Sequence, residues 1–466
     1  MNFMHNTDNT KISPAPEKFG LTTGVFVVVA SMIGTGILTT SGFTVASVSS
    51  HNWAWILWIC GGVLALCGAL SQAELVTRNP HSGGDYVILN RAFGPMIGFL
   101  SGWVSLVLGF SGPIAASSKA AAAYFLAFYP ISNLANQDVF ISLIASLIVL
   151  LLTWTHSHSH SRSGLTQNLS TSIKLFFLIL FLVLGLYAGF QKSDFPQDLP
   201  VSISPDLLGS SLTSMIYISY AYTGWNAIGF IAGEIQSPQK NLSLSILIGT
   251  GLVTILYIGL NLVYGLAISV ADLQTIAEKQ GFDALAPIAE ISASQLFGST
   301  IARGLSLIFA LMLISSVSAY LLSGPRIIYA MASSGHFPAW ASKLNQKSVP
   351  LRATILQSAL ALVFVWSSSL EGIIVSSGLG LACFSMITIA SLFYFRKNQS
   401  ENDSVGFQCP VYPVIPLIYL LGTGLLVSAT FYNKPKDGLV SVSLIMLGIL
   451  IYFIFRNRMK PIQNSA

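Results

Sequence analysis

The chain has 466 residues, 53% of them hydrophobic and only 8% charged, with a mean hydropathy of +0.70. Soluble domains carry about 25% charged residues, so this composition excludes a soluble globular protein. The net charge of +5 is small, and its one-sided distribution, set out next, does not suggest nucleic acid.

At roughly 20 apolar residues per crossing, the hydrophobic runs predict twelve spans, at 22–41, 53–76, 96–125, 139–154, 172–190, 210–233, 245–269, 302–323, 353–369, 373–395, 412–431 and 439–455. The expected fold class is therefore an all-α polytopic membrane protein. Residues 1–18 are polar and lack a signal-peptide core, so they are expected to be a cytoplasmic tail ahead of a retained first span. With that end inside, Lys11, Lys18, Arg78, Arg91, Arg162, Lys240, Arg326, Lys343, Lys347, Arg352, Arg396, Lys397, Arg456, Arg458 and Lys460 fall in the cytoplasm. Only Lys192, Lys279, Arg303, Lys434 and Lys436 lie outside. The bias predicts a multi-pass cell (inner) membrane protein with both termini cytoplasmic, residues 457–466 forming the second tail. Cys60, Cys67, Cys383 and Cys409 fall in spans or on the inner side and imply no disulfide framework. The Asn-x-Ser triplets at Asn168, Asn241, Asn398 and Asn402 would be cytoplasmic and so unglycosylated.

The first span is interrupted at its middle by Ile33-Gly34-Thr35-Gly36-Ile37. Glycine costs about 0.5–1 kcal/mol relative to alanine inside a helix, so two glycines there point to some other gain. Small residues permit close helix packing. Alternatively the helix opens, so that freed amides of its second half meet an anion and freed carbonyls of its first half meet a cation. An amino acid carries both charges on one carbon.

The second span ends near Glu74, and Pro80, Gly83 and Gly84 mark an inner turn before Asp85-Tyr86. Lys119, late in the third span, is expected to snorkel to the outer surface, with a place along the access path as the alternative. His156, His158 and His160 alternate with serines and match no zinc spacing, so they read as a polar loop. Lys174 follows the polar stretch that opens the fifth span. It either snorkels to the inner interface or turns its ammonium inward against the freed carbonyls of the first span. The sixth span carries Tyr220-Ala221-Tyr222-Thr223-Gly224-Trp225-Asn226 at its centre, a second interruption with no proline to account for it. Two interrupted spans at corresponding places in two halves point to a transporter's central site.

Beyond the seventh span, 270–299 is polar and predicts a surface helix near 272–279. Gly324-Pro325-Arg326 predicts an inner loop after the eighth span. The last two spans carry no interrupting motif and read as peripheral helices. Every Asp and Glu falls at a span end, in a loop or in a tail, which leaves Lys174 as the titrating group nearest the midplane and no buried carboxylate to bind sodium or relay protons. No cofactor or metal is expected.

With these residues in view, the chain resembles the amino acid-polyamine-organocation (APC) superfamily of transporters and, within it, bacterial amino acid permeases related to the L-type exchangers. The likeness runs through Ile33 to Ile37, Glu74 to Tyr86, Phe93-Gly94-Pro95 with Gly102-Trp103, Lys174, Tyr220 to Asn226 continuing to Glu234, Pro238 and Lys240-Asn241, and Gly324-Pro325-Arg326 with Tyr329 to Met331. It implies two inverted five-helix repeats, 19–190 and 207–397, then two helices in 410–456, with helices one and six unwound at mid-membrane. The amides of Thr35 and Gly36 are then expected at the substrate carboxylate, with Gly34 beside them in the binding stretch. Carbonyls of Met32 or Ile33, with those of Tyr220 and Thr223, are expected at its amino group. Tyr220 would close over the substrate, Ala221 and Gly224 would belong to the unwound stretch, and Trp225-Asn226 would shape the side-chain pocket. Lys174 matches a lysine that looks like a substitute for the sodium ion of related symporters.

The expected function is secondary active transport of an amino acid by alternating access, with neutral substrates and a proton linkage through Lys174. The expected partners are the small-molecule substrate and the lipid bilayer, with no nucleic acid. An arginine or polyamine antiporter is the alternative within the superfamily. A channel would need a continuous polar lining and a membrane-embedded enzyme a cluster of His or carboxylates, neither of which the sequence offers.

Overall fold

The computed structural model describes residues 18–81, 83–129, 136–158, 163–192, 205–345, 349–398 and 406–456, giving the backbone alone for His158 and for 163–167. Most of both expected tails, His160, and the basic residues Arg162, Lys347, Arg458 and Lys460 lie outside the described residues.

The first apolar run folds as α1 (Leu21–Met32), a π-helical turn (Gly36–Thr40) and α2 (Ser41–Val48). α3 (His51–Arg78) leads through Gly83 and Gly84, both at positive φ, into the short α4 (Asp85–Phe93). α5 (Pro95–Val104) and α6 (Gly112–Phe128) flank a π-helical stretch, Ser105–Ser111. α7 (Gln137–His158) and α8 (Ser163–Lys192) follow. α9 (Pro205–Ala221) gives way to a turn and a 3-10 stretch, Ala227–Glu234. Then come α10 (Pro238–Ala267), the loop helices α11 (Val270–Gln280) and α12 (Ile288–Phe297), and α13 (Ser299–Ser333). α14 (Leu351–Ser367), α15 (Leu370–Lys397), α16 (Val414–Asn433) and α17 (Pro435–Phe455) complete the chain.

Among the described residues, ten helices are long and apolar enough to cross a membrane. The two remaining sequence-expected spans coincide with the broken pair α9 and Ala227–Glu234, and with the shorter apolar helix α14. Large apolar side chains stand exposed on the outer helices, among them Leu147 and Trp154 on α7, Phe176 and Tyr187 on α8, and Leu421 on α16. Faces of this kind suit lipid, which rewards apolar contact and tolerates no unpaired backbone.

Inside, α6 packs along α13, and α10 lies between α1 and α3. The core is rich in tyrosine: Trp58, Tyr222 and Tyr257 form a ring cluster with centroids 5.2–5.7 Å apart, which adds packing energy beyond area alone. Ahead of α1, Phe19 makes a parallel bridge to Ile235: its N–H donates to Glu234 O at 2.8 Å, and Gln236 N–H donates to Phe19 O at 2.9 Å. The start of the first span is thereby tied to the end of the second broken helix.

Two expectations fail here. The expected inner loop at Gly324-Pro325 is helical, because α13 runs straight through Pro325. Beside the proline, Gln357 of α14 donates its Nε2 to Tyr320 O at 3.0 Å, and Gly324 leaves room for the Gln357 amide. Lys119 does not snorkel to a surface. It is buried, and its ammonium donates to the carbonyls of Ser368 at 2.7 Å and Val365 at 3.3 Å, where it caps the C-terminus of α14.

Candidate functional site

The first break lies at Ile33, where ψ swings to 99°. Helix resumes only with Thr35 and the π-helical turn at Gly36. A helix that stops inside a bundle leaves its last carbonyls without intrahelical donors. Here hydroxyls from other helices supply them. Tyr257 donates to Met32 O at 2.6 Å, Tyr320 to Ser31 O at 3.4 Å, and the Ser316 hydroxyl lies 3.5 Å from Ile33 O. Lys174, 3% exposed, donates its ammonium to that same Ser316 oxygen at 2.9 Å. The lysine therefore points inward, and one hydroxyl separates it from the broken backbone.

The second break runs from Tyr222 to Asn226, with Gly224 at φ +109°. A β-carbon on Gly224 would lie 2.6 Å from Ser31 O, and one on Gly36 would lie 2.4 Å from the Ala221 α-carbon. Each glycine is thus a contact point at which the other broken segment's backbone passes too close for any side chain. Thr35 and Tyr220 join the breaks through their hydroxyls at 3.3 Å, and Thr35 also reaches Ser117 at 3.5 Å. The Thr223 hydroxyl donates to Tyr220 O at 2.7 Å, and Trp225 meets Tyr419 edge-on at 6.1 Å.

A cavity of about 490 Å³ opens beside the breaks. Its lining includes Met32, Gly34, Thr35, Gly36, Tyr220, Ala221, Thr223, Gly224, Trp225 and Asn226. Of the sequence-expected residues, Ile33 and Lys174 stand behind this lining and are linked through Ser316. The cavity continues past Thr23, Phe19, Glu234 and Arg326, toward the end of the bundle where α1 begins.

The opposite end is closed. Phe43 of α2 stacks on Phe282 at 4.9 Å, and Tyr217 of α9 packs against the same ring at 6.3 Å. The Tyr217 hydroxyl donates to Glu371, which also accepts from Lys434 at 2.7 Å. Asp283 accepts the amides of Leu370 and Glu371 at 2.8 and 3.1 Å, at the N-terminus of α15. Asp283 lies outside the spans, and burial pushes its carboxyl up despite these amides.

The expectation that no carboxylate is buried is corrected by two residues. Glu74 is 0% exposed, held by Arg396, Arg78 and the Cys409 amide, and it anchors the segment before α16 to α3. Asp85 is 8% exposed and lines the cavity. Its position after a Gly-Gly turn reads as loop because nothing local shows the 3-10 stretch that folds over it. Sequence reasoning also missed Tyr257 and Tyr320, although a tyrosine within an apolar span must find a partner for its hydroxyl. His156 donates or accepts at Ser318 (2.8 Å), and among the described residues no group of three or more His, Cys, Asp or Glu could hold a metal.

Known proteins resemble this chain over nearly its whole length. The chain is 26% identical to the serine/threonine exchanger SteT of Bacillus subtilis (strain 168), over 98% of this chain and 99% of that one. It is 26% identical to the b(0,+)-type amino acid transporter 1 of Mus musculus, over 97% and 90%, and 25% identical to the cystine/glutamate transporter of Homo sapiens, over 94% and 85%. All three are transporters or exchangers rather than enzymes. The amino acid permease family profile matches residues 19–455, and the chain belongs to that family of membrane transporters.

Proposed function

We propose that the protein carries neutral amino acids across the cell membrane by alternating access, gripping the α-amino and α-carboxyl groups with the backbone of its two broken helices. The observation that supports this most is the mutual packing of the breaks, Gly224 on Ser31 and Gly36 on Ala221, at the wall of one cavity. In this reading the amides of Thr35 and Gly36 receive the carboxylate, the carbonyls of Met32, Ile33, Tyr220 and Thr223 receive the ammonium, and Trp225 and Asn226 face the side chain. Carbonyl oxygens have two lone pairs, so the hydroxyls of Tyr257 and Ser316 leave room for a second donor.

The open end carries Arg326 and in this reading would be the cytoplasmic one, which would make this an inward-open state with both termini inside. Residues 19–190 and 207–397 would be the two inverted repeats, each contributing one broken helix. Lys174, acting through Ser316 on Ile33, would link the first break to a proton. The experiment is uptake of labelled amino acids by proteoliposomes loaded with unlabelled ones. Saturable exchange of neutral amino acids supports the reading, and conductance without saturation sinks it.

One observation favours a second reading, a cationic substrate exchanged by an arginine or polyamine antiporter: Asp85 and Glu234 both line the cavity. Competition by arginine and agmatine against neutral amino acids in the same vesicles separates the two.

A further inference from the structure

The substrate reading leaves Asp85 without a role. It opens α4, between the second and third apolar segments, and it faces the cavity while nearly buried. Its Oδ1 accepts from Gln72 Nε2 at 2.8 Å and its Oδ2 from Asn226 Nδ2 at 2.7 Å. Two neutral amides satisfy its geometry without cancelling its charge, and among the described residues no ion pair involves it. Three titratable neighbours are committed elsewhere. On α4 itself, Arg91 donates to Asn79; on α15, Arg396 is held by Glu74; and Tyr86 is bonded to His336. α5 has no titratable side chain. Glu234 and Arg326 share the cavity with it, as does Tyr419 of α16. An uncompensated carboxylate away from water tends to take a proton rather than stay ionised.

The same residue sits on a mechanical junction. Gly84 N–H donates to Gly229 O at 3.0 Å, the Phe230 ring lies 2.5 Å from where a Gly84 β-carbon would be, and Asp85 holds Asn226. All three contacts tie the α3–α4 turn to the far half of the second broken helix. In addition, Gln72 Oε1 is buried with no partner among the described residues.

We propose that Asp85 is a proton-linked positioning residue of the transport cycle: ionised, it clamps Asn226 and residues 227–234 to the α3–α4 turn, and on taking a proton it lets that segment move. This rests on the transport reading. Burial raises the Asp85 carboxyl against the lowering effect of the Asn226 and Gln72 amides, so release comes as pH falls.

The test is exchange of labelled L-serine by the full chain in vesicles held at equal pH on both sides, from about pH 4.5 to 8. The wild type is expected to speed up as pH falls, and Asp85→Asn to lose that acceleration, keeping only the dependence that Lys174 supplies. Gln72→Leu removes one donor to the ionised form and is expected to move the midpoint up by about one to two pH units. A wild-type profile in Asp85→Asn, a flat profile in the wild type, or an unmoved midpoint in Gln72→Leu overturns the proposal, and the Gln72 variant decides alone if Asp85→Asn does not fold. Absence of any amino acid exchange in the wild type is a separate failure, that of the transport reading, and takes this proposal with it.

Discussion

Gly224 and Ser31 are in backbone contact: a β-carbon on Gly224 would sit 2.6 Å from the Ser31 carbonyl oxygen and 3.0 Å from the Met32 nitrogen. Gly224 also holds φ +109°, a region that L side chains rarely adopt. Gly224→Ala therefore meets strain and clash together, neither relieved by rotating a side chain. Exchange is expected to fall below about a tenth of wild type, since the 1–3 kcal/mol of a strained residue is about a fivefold to 150-fold change and the backbone clash adds to it. Gly251→Ala on α10, where no atom lies within 4 Å, is the control and should leave exchange unchanged. Equal activity of the two variants would remove the paired breaks from the mechanism.

Lys174→Ala takes away the donor that meets Ser316 and, through it, Ile33. A hydrogen bond from a charged group contributes about 1.5–3 kcal/mol, so transport should drop tenfold or more while the protein still purifies as a monodisperse species. Undiminished, still proton-dependent uptake would show that the lysine is structural only.

Tyr217→Phe removes the hydroxyl that ties α9 to Glu371 at the closed end. The Lys434–Glu371 pair remains, but it is partly exposed and worth little by itself. Losing about 1 kcal/mol of closure shifts the population open at that end roughly fivefold. The readout is labelling of a cysteine introduced at Ser41 by a membrane-impermeant thiol reagent, in a background where Cys60, Cys67, Cys383 and Cys409 are replaced. Labelling should be faster in the Tyr217→Phe protein, and an equal rate contradicts this role for the cluster.

His336 lies outside the spans, buried against Tyr86, whose hydroxyl meets its Nδ1. Burial holds its pKa below the ordinary 6.5. The unfolded chain then takes up a proton before the folded one as pH falls. The stability this group contributes is full above pH 6.5 and is lost progressively as pH drops toward the lowered folded value. His336→Gln keeps a polar partner for Tyr86 without titrating, so its melting temperature should fall less than wild type between pH 7.5 and 5.5. An identical fall in both places the acid sensitivity elsewhere.

The breaks were marked in sequence by Gly34, Gly36 and Gly224 at mid-span, a pattern that close helix packing also produces, and it was the pairing of two interrupted spans that pointed to opening. The membrane class was legible from composition, since an 8% charged chain has few other places to fold. What stayed hidden depends on partners distant in the chain. Pro325 looked like a loop because its helix packs on a distant one, where Gln357, 32 positions further on, meets Tyr320 O beside the gap left by Gly324. Lys119 looked interfacial because the carbonyls it caps belong to α14. Asp85 looked like an ordinary turn residue, since burial comes from Asn226 and Phe230 folding back over the Gly-Gly turn. Local pattern reports where a helix ends, and tertiary contact decides what a polar side chain there is for.

The most direct test is substrate exchange by the purified protein in proteoliposomes, compared with its Gly224→Ala variant. Saturable uptake of a labelled neutral amino acid that requires unlabelled amino acid inside, and that the variant loses, is the predicted result. Uptake that never saturates, or that survives in the variant at the wild-type rate, would contradict an account in which two broken helices hold the substrate.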